Sequence, residues 1–129
     1  MKIKLRHILI LLIIPIALCL YFYVSYYSQL SARKYISEKM SSIISTKDNK
    51  EIERISFNKE TYNFLMNLPK DVKFEDISDA QGGDESKQTI NYEGRVNNQK
   101  VEITLRNTKK VSKINKLFPS YEIMEVRKW

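Results

Sequence analysis

Histidine and cysteine occur once each in this chain of 129 residues, as His7 and Cys19, and neither recurs downstream. Without them the remaining 110 residues cannot build a Ser-His-Asp or Cys-His nucleophilic site. The usual nitrogen and sulfur ligand sets for zinc, copper and iron are excluded with them, as is any intrachain disulfide. Glycine is nearly as scarce, with three residues. Gly82-Gly83 is the one close pair, and it lacks the Lys-Ser/Thr that completes a phosphate loop. Small domains in oxidising compartments usually carry disulfides. Their absence, with Lys-, Asn- and Ile-rich usage, is a compositional association with low-GC Gram-positive bacteria.

What is present is a long apolar run. ILILLIIPIALCLYFYV, from Ile8 to Val24, holds no charge, and SYY extends it to Tyr27. At about 1.5 Å rise per residue, twenty helical residues span about 30 Å, the thickness of a bilayer's hydrocarbon core. Three readings compete: a retained anchor, a cleaved signal peptide and a lipoprotein signal. The run is longer than the roughly 7–15 residues of a secretory h-region. The best small-x-small site, Leu30-Ser31-Ala32, lies inside a continuing helical pattern. Cys19 follows Ala17-Leu18 and precedes LYFYV, so it lies within the apolar run, a poor context for lipidation. The retained signal-anchor is the favoured reading, with Ile8, Leu12, Pro15, Leu20, Tyr23 and Tyr27 as its marker residues. Pro15 removes one backbone donor mid-segment, which membrane helices tolerate. Tyr21, Phe22, Tyr23, Tyr26 and Tyr27 crowd one end, where aromatic rings favour the membrane–water interface.

The organisation expected is a cytoplasmic tail over 1–7, a transmembrane helix over 8–27 and an extracytoplasmic domain over 28–129. The flanking positive charges tie: Lys2, Lys4 and Arg6 before, Arg33, Lys34 and Lys39 after. The first group abuts the apolar run and the second is set back from it by SYYSQLSA, so the N-terminus is read as inside. All 15 acidic residues and 19 of the 22 basic ones follow the run, spread rather than clustered. That spread describes a solvated surface; attraction to anionic lipid or wall polymer is the sharper alternative. No basic-aromatic recognition motif appears, so nucleic acid is not expected as a partner.

The outer part reads as one α+β domain. Leu30, Tyr35 or Ile36, Met40, Ile43 and Ile44 recur at helical spacing, with Met40, Ile43 and Ile44 facing a core. The stripe Tyr26, Leu30, Ile36, Met40, Ile43 packs on its own sheet rather than on a second copy. Ser45–Asp48 breaks the helix, and Asp48 with Glu51 forms a capping-box pattern for KEIERIS. Asn58 or Ser56 caps a third helix, KETYNFLMNL, which Pro69 stops. The period then changes to two. VKFEDI is expected as a strand and SDAQGGDES as a polar loop. TINYEGRV and VEITLRN form an antiparallel hairpin about Asn97-Asn98. KKVSKINKLF is ambiguous between helix and strand, and YEIMEVRKW is the last strand, with Trp129 covering a sheet edge. The expectation is helices packed on a curved antiparallel sheet of about four strands.

Three stretches carry a resemblance: the helix joint STKDNKEIERIS, the hairpin QTINYEGRVNNQKVEITLRN and the aromatic-ending strand YEIMEVRKW. Over residues 31–129 this order resembles the cystatin-like / nuclear-transport-factor-2-like cone fold used by tethered extracytoplasmic proteins of Gram-positive bacteria. It departs at Lys109–Pro119, where that family goes directly into its last strand. Within the fold, assembly factors of type IV secretion and conjugation machines share the tail, membrane helix and outer domain. A second resemblance is to the inner-membrane platform proteins of type IV pili and type II secretion, with a ferredoxin-like domain. A helix at Lys110–Phe118 would favour it.

The remaining chemistry is carboxylate chemistry. Asp76, Asp79, Asp84 and Glu85 flank the Gly-Gly pair and offer hard oxygen ligands, but not at EF-hand spacing, so solvated turn residues are the favoured reading. Glu51/Glu53 and Glu93/Glu102 could act as acid–base pairs for a glycosidase, in a domain with little room for a cleft. Tyr62, Phe64, Phe74 and Tyr92 are read as core rather than ligand cone. No cofactor and no metal are expected. The expectation is a non-enzymatic, membrane-anchored envelope protein whose outer domain binds protein partners in a secretion, conjugation or pilus assembly. Alternatives are a small-ligand sensor and an immunity or exclusion factor. Expected partners are the lipid bilayer and an envelope protein, with a homo-oligomer as a further option.

Overall fold

The structure is a computed structural model, and it describes residues 5–108 and 120–129. The segment Lys109–Phe118, open between helix and strand in the sequence, lies outside the described residues.

One α-helix, α1 (Leu5–Thr46), runs through both the apolar run and the first domain segment. Its leucines, alanines and, after Tyr27, Lys, Glu and Met favour it, no glycine interrupts it, and Pro15 lies within it. Beyond Tyr27 its apolar residues fall at helical spacing, and Ala32, Ile36, Met40, Ile43 and Ile44 are buried. Lys47, at φ 52°, turns the chain out of the helix. Asp48 then caps α2 (Asn49–Ile55), its carboxylate accepting from the Lys50 and Glu51 amides at 3.1 and 3.2 Å. The reciprocal half of the box is not made, because Arg54 takes the Glu51 carboxylate at 2.6 and 3.1 Å. Asn58, not Ser56, caps α3 (Lys59–Asn67), accepting from Thr61 N at 2.8 Å.

Four strands follow: β1 (Ala80–Asp84), β2 (Thr89–Val96), β3 (Gln99–Asn107) and β4 (Tyr121–Lys128). They form an open antiparallel sheet in the order β1-β2-β3-β4. The fold is therefore α+β, as the sequence pattern requires. The β2–β3 turn places Asn97 and Asn98 at φ 50° and 62°, the left-handed pair that a two-residue hairpin of type I′ needs. In β4, Ile123 pairs with Leu105 and Glu125 with Thr104, so Met124 is the bulged residue and Val126 returns to the inner face.

Three expectations are corrected. Val72–Ile77 is not a regular strand: Asp76 sits at φ 53°, and only a bridge between Glu75 and Arg95 survives, with N–O distances of 3.3 and 3.2 Å. The first strand instead falls in the expected loop, at Ala80–Asp84, where every residue is exposed. Trp129 does not cover an edge; it is 59% exposed, with the Lys100 ammonium 5.9 Å from its ring centroid.

The β4 edge is covered by the α2–α3 joint. Arg54 donates to Ile123 O at 3.1 Å, Phe57 N to Val126 O at 2.9 Å, and Lys128 N to Thr61 Oγ1 at 3.2 Å. This satisfies backbone groups that an open edge would offer to another chain. The sheet's inner face carries Tyr92, Val96, Val101, Ile103, Leu105, Ile123 and Val126 against α1, with Ile52, Ile55, Leu65 and Leu68 from the short helices. Its other face is polar, with Glu93–Lys100 at 3.1 Å, Arg106–Glu122 at 2.7 Å and a Thr104–Asn91 hydrogen bond of 3.0 Å.

Candidate functional site: a helix shared by an exposed apolar segment and the core

α1 is two surfaces on one rod. Its first half is exposed all round, and none of its most apolar 18-residue stretch is buried. Ile8, Leu12, Pro15, Leu20, Tyr23 and Tyr27, the anchor residues read from the sequence, all lie on this half and are exposed. The helix is long and apolar enough to cross a membrane. Tyr23 and Tyr27, one turn apart, stack with centroids 6.3 Å apart, and Tyr21 and Phe22 meet edge to face at 5.8 Å. Together they make an aromatic collar at the end of the apolar half.

The second half begins at once. The Tyr121 hydroxyl donates to Ser28 O at 3.4 Å, one residue after Tyr27. Ala32 is fully buried. The Arg33 guanidinium pairs with Asp79, and Ser37 Oγ donates to Phe74 O at 3.0 Å, both on the chain leading into β1. On the opposite side the rings of Tyr35 and Tyr121 lie 5.7 Å apart. α1 is thus clasped from both edges of the sheet. Burial pushes the Tyr92 hydroxyl up to about 12, with Tyr121 nearby adding to the effect. Burial also raises Tyr121, and it raises Tyr35 with help from Glu122.

At least one carboxylate of each candidate group is engaged in structure. Glu51 is held below its ordinary range by its hydrogen bonds from Arg54, which also lies 3.8 Å from Glu122. Glu93 and Glu102 do stand opposite each other across β2 and β3, but Glu93 is paired with Lys100. Asp79 is taken by Arg33, and Asp84 caps the 3-10 turn Glu85–Lys87 through the Ser86 amide at 3.0 Å. Among the described residues no three of His, Cys, Asp and Glu gather where they could hold a metal ion. Phe74 and Tyr92 are buried, and Tyr62 and Phe64 pack partly against the core. A shallow groove of about 440 Å³ runs on the outside, between the serine-bearing flank of α1 (Ser37, Ser41, Ser45) and Lys70–Lys73.

Two features escaped the sequence reading. One is the clasp of Ser28, Arg33 and Ser37, whose partners lie 37 or more residues away in the chain. The other is Lys47, whose ammonium donates to the carbonyls of Leu65 at 3.3 Å, Met66 at 2.9 Å and Leu68, closing the last turn of α3.

Compared with known proteins, the chain matches no family model, no curated protein and no solved structure.

Proposed function

We propose that this is a single-pass protein of the cell membrane, N-terminus in the cytoplasm, whose outer α+β domain binds a protein partner in an envelope assembly such as a secretion, conjugation or pilus machine. The observation that carries the anchoring is the division of α1 into an exposed apolar half and a half with one face, carrying Ala32, Ile36, Met40, Ile43 and Ile44, buried in the core. Among the described residues nothing covers this apolar segment, and an exposed apolar helix of this length suits a bilayer. The same helix argues for retention over cleavage. The best cleavage site, Leu30-Ser31-Ala32, falls in unbroken helix, and Ala32 is in the core. Cutting there would remove Ser28, whose carbonyl Tyr121 holds. The inside placement of residues 1–7 rests on the basic cluster beside the span.

A protein-binding role is favoured because Glu51, Asp79, Asp84 and Glu93 already serve ion pairs and caps, and the described residues offer surface rather than a chamber. The test is in two arms. Membranes from expressing cells are washed with alkaline carbonate, and intact cells are then treated with protease. The expected result is a full-length chain that stays with the membrane and loses its domain to external protease. Release by carbonate would overturn the anchoring, and a domain protected until the cells are opened would reverse the orientation. Crosslinking in native cells should trap the domain with a second envelope protein; a chain recovered only alone refutes the partner.

A further inference from the structure

We infer that the end of the sheet around the β1–β2 turn rests on the lipid headgroups, so that the domain stands against the bilayer and is not held clear of it. This builds on the membrane-spanning reading of α1.

The direction of α1 over the sheet is fixed by its contacts. Ser28 meets Tyr121, at the start of β4. Ser37 meets Phe74, whose neighbour Glu75 bridges Arg95 near the end of β2. Lys47, just past α1, reaches the end of α3. The helix therefore runs along the strands, from the Tyr121 end towards the Asn97-Asn98 turn. Asn107 pairs with Tyr121 and donates to Gln88 O at 3.1 Å, which brings the turn Asp84–Gln88 to the Tyr121 end. That end of the sheet points back along α1 at the span.

The distance follows from the helix rise. A bilayer is about 40–45 Å thick around a core of about 30 Å, leaving a headgroup layer of about 5–8 Å on each side. Tyr27 closes the aromatic collar, and aromatic belts sit at headgroup level. From Tyr27 to Ala32, the first fully buried residue, is five residues, or about 7.5 Å of rise. Ser28 is already in contact with the domain. No flexible linker intervenes, since α1 is continuous through this stretch. The turn projecting from the sheet's near end has no space in which to avoid the headgroups. Its residues Asp84–Lys87 are exposed and polar, which suits that layer.

The test uses the full chain in lipid nanodiscs whose lipids carry a headgroup-attached quencher. Cys19→Ser supplies the background, and a fluorophore is attached in turn through Ser25→Cys, Ser86→Cys and Asn98→Cys. Labels at 25 and 86 should be quenched several-fold more than the label at 98, which sits at the far turn. Lys87→Cys repeats the rim measurement should Ser86→Cys disturb the cap. Quenching at 25 with none beyond the level of 98 at either rim position overturns this inference and leaves the anchoring intact. No quenching at 25 overturns both. A further variant inserts seven helix-forming residues between Tyr27 and Ser28. That raises the domain by about 10 Å with nearly the same face turned to the sheet. Its rim label should be quenched several-fold less than without the insertion; unchanged quenching would overturn the geometry.

Discussion

Lys47 closes the end of a helix to which it does not belong. Its ammonium is shared among two carbonyls of α3 and that of its C-cap, Leu68, and burial lowers its pKa, with Lys70 adding to the effect. Replacing it by methionine keeps the stem and removes the donors. Lys47→Met should cost about 1–3 kcal/mol, read by urea unfolding; an unchanged midpoint would mean that water serves those carbonyls equally well. Asp48→Ala should cost about 1 kcal/mol through the lost cap. Tyr92 sets an alkaline limit. Its folded pKa of about 12 lies above the unfolded value of about 10, so the folded state holds this proton more tightly. The stability it contributes is complete below about pH 10 and declines as pH rises towards 12. Tyr92→Phe should flatten that decline in a pH series of unfolding midpoints, leaving a part due to Tyr121; an identical slope in the variant would count against the assignment. The caps Asp48 and Asn58 and the Asn97-Asn98 turn were legible because each acts on backbone within three residues. Lys47 was not, since its acceptors lie 18 to 21 residues on.

At the scale of elements, β2 and β3 announced themselves through alternation, because one face of each is buried. β1 could not. A strand at an exposed edge has no side-chain alternation to display, and AQGGD pairs through its backbone alone. Gly83 is required there: a Cβ would fall 2.1 Å from Thr89 O, inside any possible contact. Gly83→Ala should therefore detach β1. Hydrogen exchange is expected to rise in β1 and its β2 partners while β3 and β4 keep their protection, and uniform protection would refute the close approach. VKFEDI showed the alternation of a strand, yet the left-handed Asp76 limits it to a single bridge. The cover over β4 was equally hidden, since Arg54, Phe57 and Thr61 carry no signal of their long-range partners.

For the whole molecule, the domain and the exposed apolar segment share α1 but not their sources of stability. Ile36 and Met40 are fully buried against the sheet. Truncating either to alanine should cost about 2–5 kcal/mol, enough together to unfold a domain of this size. On the proposed anchoring, the double variant should stay in carbonate-washed membranes while the rest of its chain becomes protease-sensitive. Loss from the membrane would show that the span depends on the domain. The sequence revealed that one helix enters both parts, by an apolar run followed by helical spacing with no break between. It did not reveal how close the two parts stand, because that depends on Tyr121 finding Ser28 across 93 residues.

That separation also sets an order of events in time. On the proposed membrane-spanning reading of α1, with the span inserted first, the buried face of α1 emerges early, while Ile123 and Val126 are made about 80 residues after Ile44. At synthesis rates of about 5–20 residues per second, some 4–16 seconds pass between them. Through that interval Ile36, Met40, Ile43 and Ile44 wait beside the membrane without a sheet to cover them. The strands arrive one after another at a helix already held in position, so the nascent chain folds against a fixed template.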